Sequence, residues 1–154
     1  MTAAFDNFVT KFHDHFSKNP NTCVELGLDI RLGELPDPSL EAAAQHVEEG
    51  RKLLTEIDQI EPSDLPFEKS LDLELAGLWL ERDIFRHTFL FNGKRTLRQK
   101  PTAGDDIGDG LFLMFVNDPR PAQMRLRDIT SRLENVPEYL KKLTRRLDVP
   151  ITRW

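Results

Sequence analysis

Four histidines, at positions 13, 15, 46 and 87, are the residues whose type and spacing first invite a chemical reading. His13-Asp14-His15 is a donor-rich triplet. On a helix, however, residues two apart diverge by about 200°, so His13 and His15 cannot share a metal from one helix. A helical zinc pair needs imidazoles four residues apart, as in H-E-x-x-H, and no two histidines here have that spacing. The two flank a phenylalanine stripe and read as polar-face residues. His46, within Gln45-His46-Val47-Glu48-Glu49, reads as part of a solvated acidic face. His87 follows Asp83 by four residues, a spacing that suits a hydrogen-bonded ion pair.

Other constellations are weaker. Gly104-Asp105-Asp106-Ile107-Gly108-Asp109-Gly110 has the look of an ion loop, but it lacks alternating acids and has Val116 where a bidentate glutamate would stand. It reads as a flexible turn. No serine or cysteine sits in a nucleophile elbow, and no glycine-rich phosphate loop occurs. Cys23 is alone, which excludes an internal disulfide or a cysteine-type metal site. Arg125, Arg127 and Arg132 lie before Pro137, and Arg132 suits a charge-assisted bond to a carbonyl or carboxylate. No residue is therefore assigned to catalysis, to a cofactor or to a metal.

The elements that carry these residues are helical almost throughout. Phe5, Phe8, Val9, Phe12 and Phe16 fall at helical spacing, and that helix is expected to end at Asn19-Pro20. A connecting segment, 21–36, follows. Asp37-Pro38-Ser39-Leu40-Glu41 starts a second helix with the stripe Leu40, Ala43, Ala44, Val47, Leu54, Ile57, in which Gly50 leaves room for a close contact. Ser63 or Asp64 should cap a third helix running from about Pro66 to Phe91. It carries two apolar stripes, Leu71, Leu75, Leu78, Phe85, Phe89 and Leu73, Leu80, Ile84, Phe91, with Trp79 beside the first. A helix apolar on two sides is packed on two sides, so this one is expected to be central, with Leu78→Ala or Phe85→Ala costing roughly 2–5 kcal/mol and Glu68→Ala much less. A flexible loop is expected over 92–110, then a buried helix from the run Leu111 to Val116. A helix pair, 121–135 and 137–148, joins at Val136-Pro137.

The fold class expected is all-α, a multi-helix bundle around one long central helix, in a single domain over 1–154. A net charge of −5 argues against a general nucleic-acid binder; the short basic cluster Lys94, Arg95, Arg98, Lys100 reads as a solvated loop. No 18-residue apolar run is present and the start lacks a basic-then-apolar leader, so no membrane partner is expected and the reading is cytoplasmic. Asp148-Val149-Pro150-Ile151-Thr152-Arg153-Trp154 opens another helix and stops on apolar residues. The chain is accordingly expected to be the front of something longer, and to self-associate or bind its missing C-terminal portion through uncovered apolar surface.

Two stretches carry a resemblance. Asn19-Pro20, Thr22 and Glu25-Leu26-Gly27 resemble the "P…AT…G" opening of the bacterial domain-of-unknown-function family 885. Arg132-Leu133-Glu134-Asn135-Val136-Pro137-Glu138-Tyr139-Leu140 is similar to its "RL…(V/I)P…L" helix junction. Members of that family are almost wholly helical and look like gluzincin-type zinc metallopeptidases, with H-E-x-x-H and a glutamate in a later part of the chain. The resemblance implies a non-catalytic N-terminal helical portion that forms one wall of a substrate cleft. Zinc and peptide substrate then belong to the downstream part and the full protein, and the isolated chain would bind no zinc. The alternative is a self-sufficient helical interaction module without enzymatic activity.

Overall fold

The computed structural model describes residues 2–91, 94–95, 103–116 and 118–146. It is all-α: α1 Thr2–Phe16, α2 Pro20–Leu26, α3 Leu40–Ile57, α4 Phe67–Thr88, α5 Gly110–Val116 and α6 Ala122–Arg146. A 3-10 turn covers Pro62–Asp64, a π-helical turn Gly104–Asp109, and two-residue strands β1 Leu90–Phe91 and β2 Lys94–Arg95 pair antiparallel, Leu90 with Arg95 and Phe91 with Lys94. Arg98, Lys100 and the expected terminal helix with Val149, Ile151 and Trp154 lie outside the described residues, as does part of the expected 92–110 loop. No helix among the described residues is long and apolar enough to cross a membrane. The chain divides into two compact units, Met1–Phe16 with Ala43–Gln99, and Ser17–Ala42 with Lys100–Trp154.

The first unit is built from α1, α4 and most of α3. Phe5, Phe8, Phe16, Leu53, Leu73, Ala76 and Leu80 are buried together, with Phe12, Leu54, Ile57, Ile60 and Leu65 packed against them. Pairing along the helices fixes their directions. Lys11 Nζ meets Glu56 at 2.8 Å while His15, further along α1, lies beside Glu49, earlier in α3. A Cβ at Gly77 would approach Ile57, and one at Gly50 would lie 3.3 Å from Ile84 Cγ1. α3 thus runs antiparallel to both α1 and α4. Lys69 Nζ, 2.9 Å from Asp6 Oδ1, sets α4 parallel to α1.

Only one of the two stripes on α4 is covered. Leu73 and Leu80 are buried, whereas Leu78 is 55% and Phe85 57% exposed. The expectation of two-sided packing on α4, and with it of a large loss on truncating Leu78 or Phe85, is corrected accordingly. Neither Ser63 nor Asp64 caps α4: its N-cap is Pro66, with no side-chain hydrogen bond.

The second unit joins α2, α5 and α6. The helix α2 takes in residues 21–26 of the segment expected as connection, and Pro20, expected as a helix end, starts it. Asn19 caps it, its Oδ1 accepting from Asn21 N at 2.9 Å, Pro20 takes the first turn, and Gly27 closes the helix at φ 68. That is the ordinary grammar of a short helix, proline just inside the start and a left-handed glycine just past the end. α6 is one helix, not two, with Pro137 inside it. Proline there removes one backbone bond. Ile129, Arg132, Tyr139 and Leu143 are buried and share one face spanning Pro137, which holds both halves on one axis. Of the run Leu111 to Val116, Met114 is buried but Phe112, Phe115 and Val116 are exposed, so α5 is not the buried helix expected.

Arg132 is fully buried. Its Nε donates to Leu32 O at 2.6 Å, Nη1 to Asn21 Oδ1 at 2.7 Å and Nη2 to Pro20 O at 3.3 Å. Asn21 Nδ2 donates to Asp106 O at 2.8 Å, and the Tyr139 hydroxyl donates to the Asp106 carboxylate. A Cβ at position 110 would collide with Arg132 Nη1 and Asn21 Oδ1, so glycine is required there by space. Nearby, Arg120 bridges Asp118 (2.7 Å), Asp128 (2.9 Å) and Asp29 (3.1 Å). The hydrogen bonds from Arg120 hold the Asp118 carboxyl below the usual carboxylate range.

Two outcomes are expected in denaturant titrations. Leu80→Ala costs roughly 2–5 kcal/mol, and Leu78→Ala much less; equal losses would contradict the one-sided packing of α4. Asp118→Asn destabilises by roughly 1–3 kcal/mol at neutral pH. Because the folded-state pKa of Asp118 is depressed, its contribution is present above the unfolded value of about 3.9 and is lost as pH falls through the folded value. The gap between wild type and Asp118→Asn should therefore shrink below about pH 4. A gap that persists unchanged in acid would remove Asp118 ionisation from the stability of this unit.

Candidate functional site

Each helix of the first unit begins or ends its buried stripe with a titratable group. On α1 the sequence of positions is Phe5, Phe8, Phe12, His15; on α3 it is His46, Gly50, Leu53, Ile57; on α4 it is Leu73, Ala76, Leu80, Asp83, His87. These are three- and four-residue steps along single helix faces. Since α3 runs against the other two, all these groups meet at one end of the core. One ligating atom from each of His15, His46 and Asp83 lies within 4.8 Å of the others.

The geometry is specific. His46 Nε2 and Asp83 Oδ2 are hydrogen-bonded at 2.6 Å. The His15 and His46 rings stack nearly parallel, centroids 4.1 Å apart at 12°. His87 lies beside them, its ring centroid 5.2 Å from that of His46, and its Nδ1 is 2.8 Å from Asp83 O. The expected Asp83–His87 contact is present only at 3.8 Å, because the Asp83 carboxylate is turned to His46. Phe16 sets its edge against His15, His46 and Trp79, walling one side of the group.

The electrostatics separate the groups. Burial disfavours the His15 imidazolium and lowers its pKa, the neighbouring His46 adding to the effect. Burial alone would raise Asp83, but the hydrogen bond and charge of His46 outweigh it, and the carboxyl is held below its ordinary value. His15 is 3% exposed, and neither of its ring nitrogens has a hydrogen-bond partner among the described residues. Glu49 Oε2 lies 3.6 Å from Nδ1, an ion-pair distance that favours the imidazolium against burial but is too long for a hydrogen bond. The end of the core thus holds a buried imidazole with neither nitrogen hydrogen-bonded, an imidazole–carboxylate pair, and a further imidazole. Such a set can ligate a cation or relay a proton.

Spacing within one helix separated His13 from His15 correctly, since His13 is exposed beside Asp14 at 3.7 Å. It could not show what lies across helices. The available signal was a polar residue standing in an apolar register, as His15 does seven after Phe8, Asp83 seven after Ala76, and His46 seven before Leu53. His46 is not on a solvated face but hydrogen-bonded to α4. The 104–110 segment, expected as a flexible turn, holds a π-helical turn over Gly104–Asp109 in which Asp106 accepts from Asn21 and Tyr139.

A second feature is apolar. Leu71 (44%), Leu75 (51%), Leu78 (55%), Phe85 (57%) and Phe89 (39%) are exposed along one line of α4. Their spacing alternates four and three, with Arg82 completing the series and lying over Trp79 at 5.0 Å. This is the seam pattern of a helix that packs against another helix.

Comparison with protein-family models, with curated proteins and with solved structures finds no match for this chain.

Replacing His15 by leucine tests what its burial does to stability. A buried polar group without a partner destabilises a fold by roughly 1–3 kcal/mol. In the metal-free protein, His15→Leu should leave the unfolding free energy unchanged or raise it. A loss above about 2 kcal/mol would mean that the imidazole makes a stabilising bond in the fold.

Proposed function

We propose that this chain is a non-catalytic helical platform, the N-terminal portion of a zinc-metallopeptidase-like cytoplasmic protein, whose role is to pack later helices and form one wall of a peptide cleft. The observation that carries the packing role is the exposed α4 seam, Leu71, Leu75, Leu78, Phe85 and Phe89. A soluble surface seldom leaves such a row uncovered unless another surface meets it. The peptidase half of the reading rests on the resemblance of the Asn19-Pro20…Gly27 and Arg132…Leu140 stretches to family 885. Arg132 of the second stretch donates to Pro20 O and Asn21 Oδ1 of the first, which gives both stretches a common structural reason.

A self-sufficient interaction module is the second reading, favoured by the separate sets of buried residues in the two units. A reading frame that continues beyond Trp154 into an H-E-x-x-H helix selects the first.

In isolation the seam should find a second copy. Sedimentation velocity at micromolar concentration is expected to give a dimer or larger species, little affected by salt because the contact is apolar. Leu75→Glu with Leu78→Glu should return it to monomer. A wild-type monomer across the whole concentration range, or association that survives both glutamates, would remove the seam as the packing surface.

A further inference from the structure

We propose that the first unit binds one borderline divalent transition metal, of which zinc is the redox-inert member, through His15, His46 and Asp83. This goes beyond the packing role above and does not depend on it.

Three observations converge. The donors come from three different helices, α1, α3 and α4, yet their ligating atoms lie within 4.8 Å of one another. Bonds of about 2.0–2.2 Å place neighbouring donors of one ion roughly 3–3.5 Å apart. The His46–Asp83 pair, hydrogen-bonded at 2.6 Å, would open slightly to admit the ion and His15 would close from within 4.8 Å, changes of the size that side-chain rotation supplies. Next, His15 is buried with neither nitrogen hydrogen-bonded, at a register position where an apolar residue would fill the core without penalty. A merely structural polar cluster would be expected to satisfy it; a metal would take its lone pair. Last, the surroundings resemble an outer ligand shell. His87 Nδ1 lies against the Asp83 backbone carbonyl, and if that nitrogen carries the proton, Nε2 is left as the nitrogen with the lone pair. Glu49, 3.6 Å from His15 Nδ1, is close enough to become the carboxylate partner that metal-bound imidazoles ordinarily acquire.

The donor chemistry selects the ion. Two imidazoles and one carboxylate suit zinc, ferrous iron and their neighbours, and not calcium or magnesium, which take oxygen donors. No thiolate is present to favour cuprous copper, since Cys23 belongs to the second unit, its Sγ 3.1 Å from Ser17 O. Three protein ligands leave a further coordination position, which His87 is placed to approach, its ring beside that of His46. The absence of an H-E-x-x-H helix does not bear on this site, because here one donor comes from each helix.

The test uses the whole chain, purified without a histidine tag and stripped with EDTA. Cobalt(II) is titrated as the spectroscopic probe and zinc is then added in competition, with elemental analysis for stoichiometry. One ion per chain is expected, with visible ligand-field bands that zinc abolishes. His46→Gln and Asp83→Asn, each checked by circular dichroism, should weaken binding at least about 10-fold. His13→Gln, at the exposed neighbour, should leave it unchanged. Absence of a stoichiometric ion in the wild-type chain would overturn the proposal whatever the variants do. So would an ion retained in both His46→Gln and Asp83→Asn, or one lost in His13→Gln.

Discussion

A single buried guanidinium holds together the two sequence-distant segments of the second unit. Arg132 reaches back 100 to 112 residues to Leu32 and Pro20, and 111 to Asn21. The second unit is assembled from Ser17–Ala42 and Lys100–Trp154, so the residues between must leave it and return to it. In the folded unit α6 is therefore seated by groups from α2 and from the turn at Leu32. Burial disfavours the charge and lowers the Arg132 pKa. What offsets this is the shape of the group, a planar fork whose donors reach two carbonyls and an amide oxygen at once. Lysine would present one point charge and could not span them. The same demand fixes glycine at 110, where a side chain would occupy the space of the fork.

The first unit obeys a different constraint, the register of three helices. Its apolar stripes were legible in the sequence: Phe5, Phe8 and Phe16 are buried, as are Leu73 and Leu80, and Gly50 admits Ile84. The site at the end of those stripes was not, for two reasons. His15 and His46 were judged by the polarity of their sequence neighbours, whereas burial follows the face and not the neighbour. And the site exists only because α3 is antiparallel to α1 and α4, so that the start of one stripe meets the ends of the other two. Direction of packing is a tertiary fact, set by pairs such as Lys11–Glu56 and His46–Asp83 that no single window contains.

Where the sequence misled, the cause was reading a residue type without its context. Pro137 signalled a break, but Arg132 and Tyr139 are anchored on either side of it and the helix continues. Pro20 signalled an end, but with Asn19 before it and Gly27 after it, it marks a beginning. Two stripes on α4 signalled two packed sides, but apolarity states only that a face can be buried, and here one remains exposed.

The two faces of α4 therefore divide the labour of the first unit. One carries the stripe Leu73, Ala76, Leu80 into Asp83 and His87, so that the apolar core grades into donors along a continuous helix surface. Donors placed on helices in this way inherit the rigidity of the core beneath them, which is what a metal site needs to hold its geometry. The converse also follows. An ion that bridged α1, α3 and α4 would bind the folded unit and not the unfolded chain, so occupancy would add directly to stability. Without it, the imidazole stands in the interior with no hydrogen bond, where an apolar side chain would need none. A buried polar residue that the fold leaves without a hydrogen bond is explained by what it does there, and for His15, stacked on His46, ligation is the role proposed.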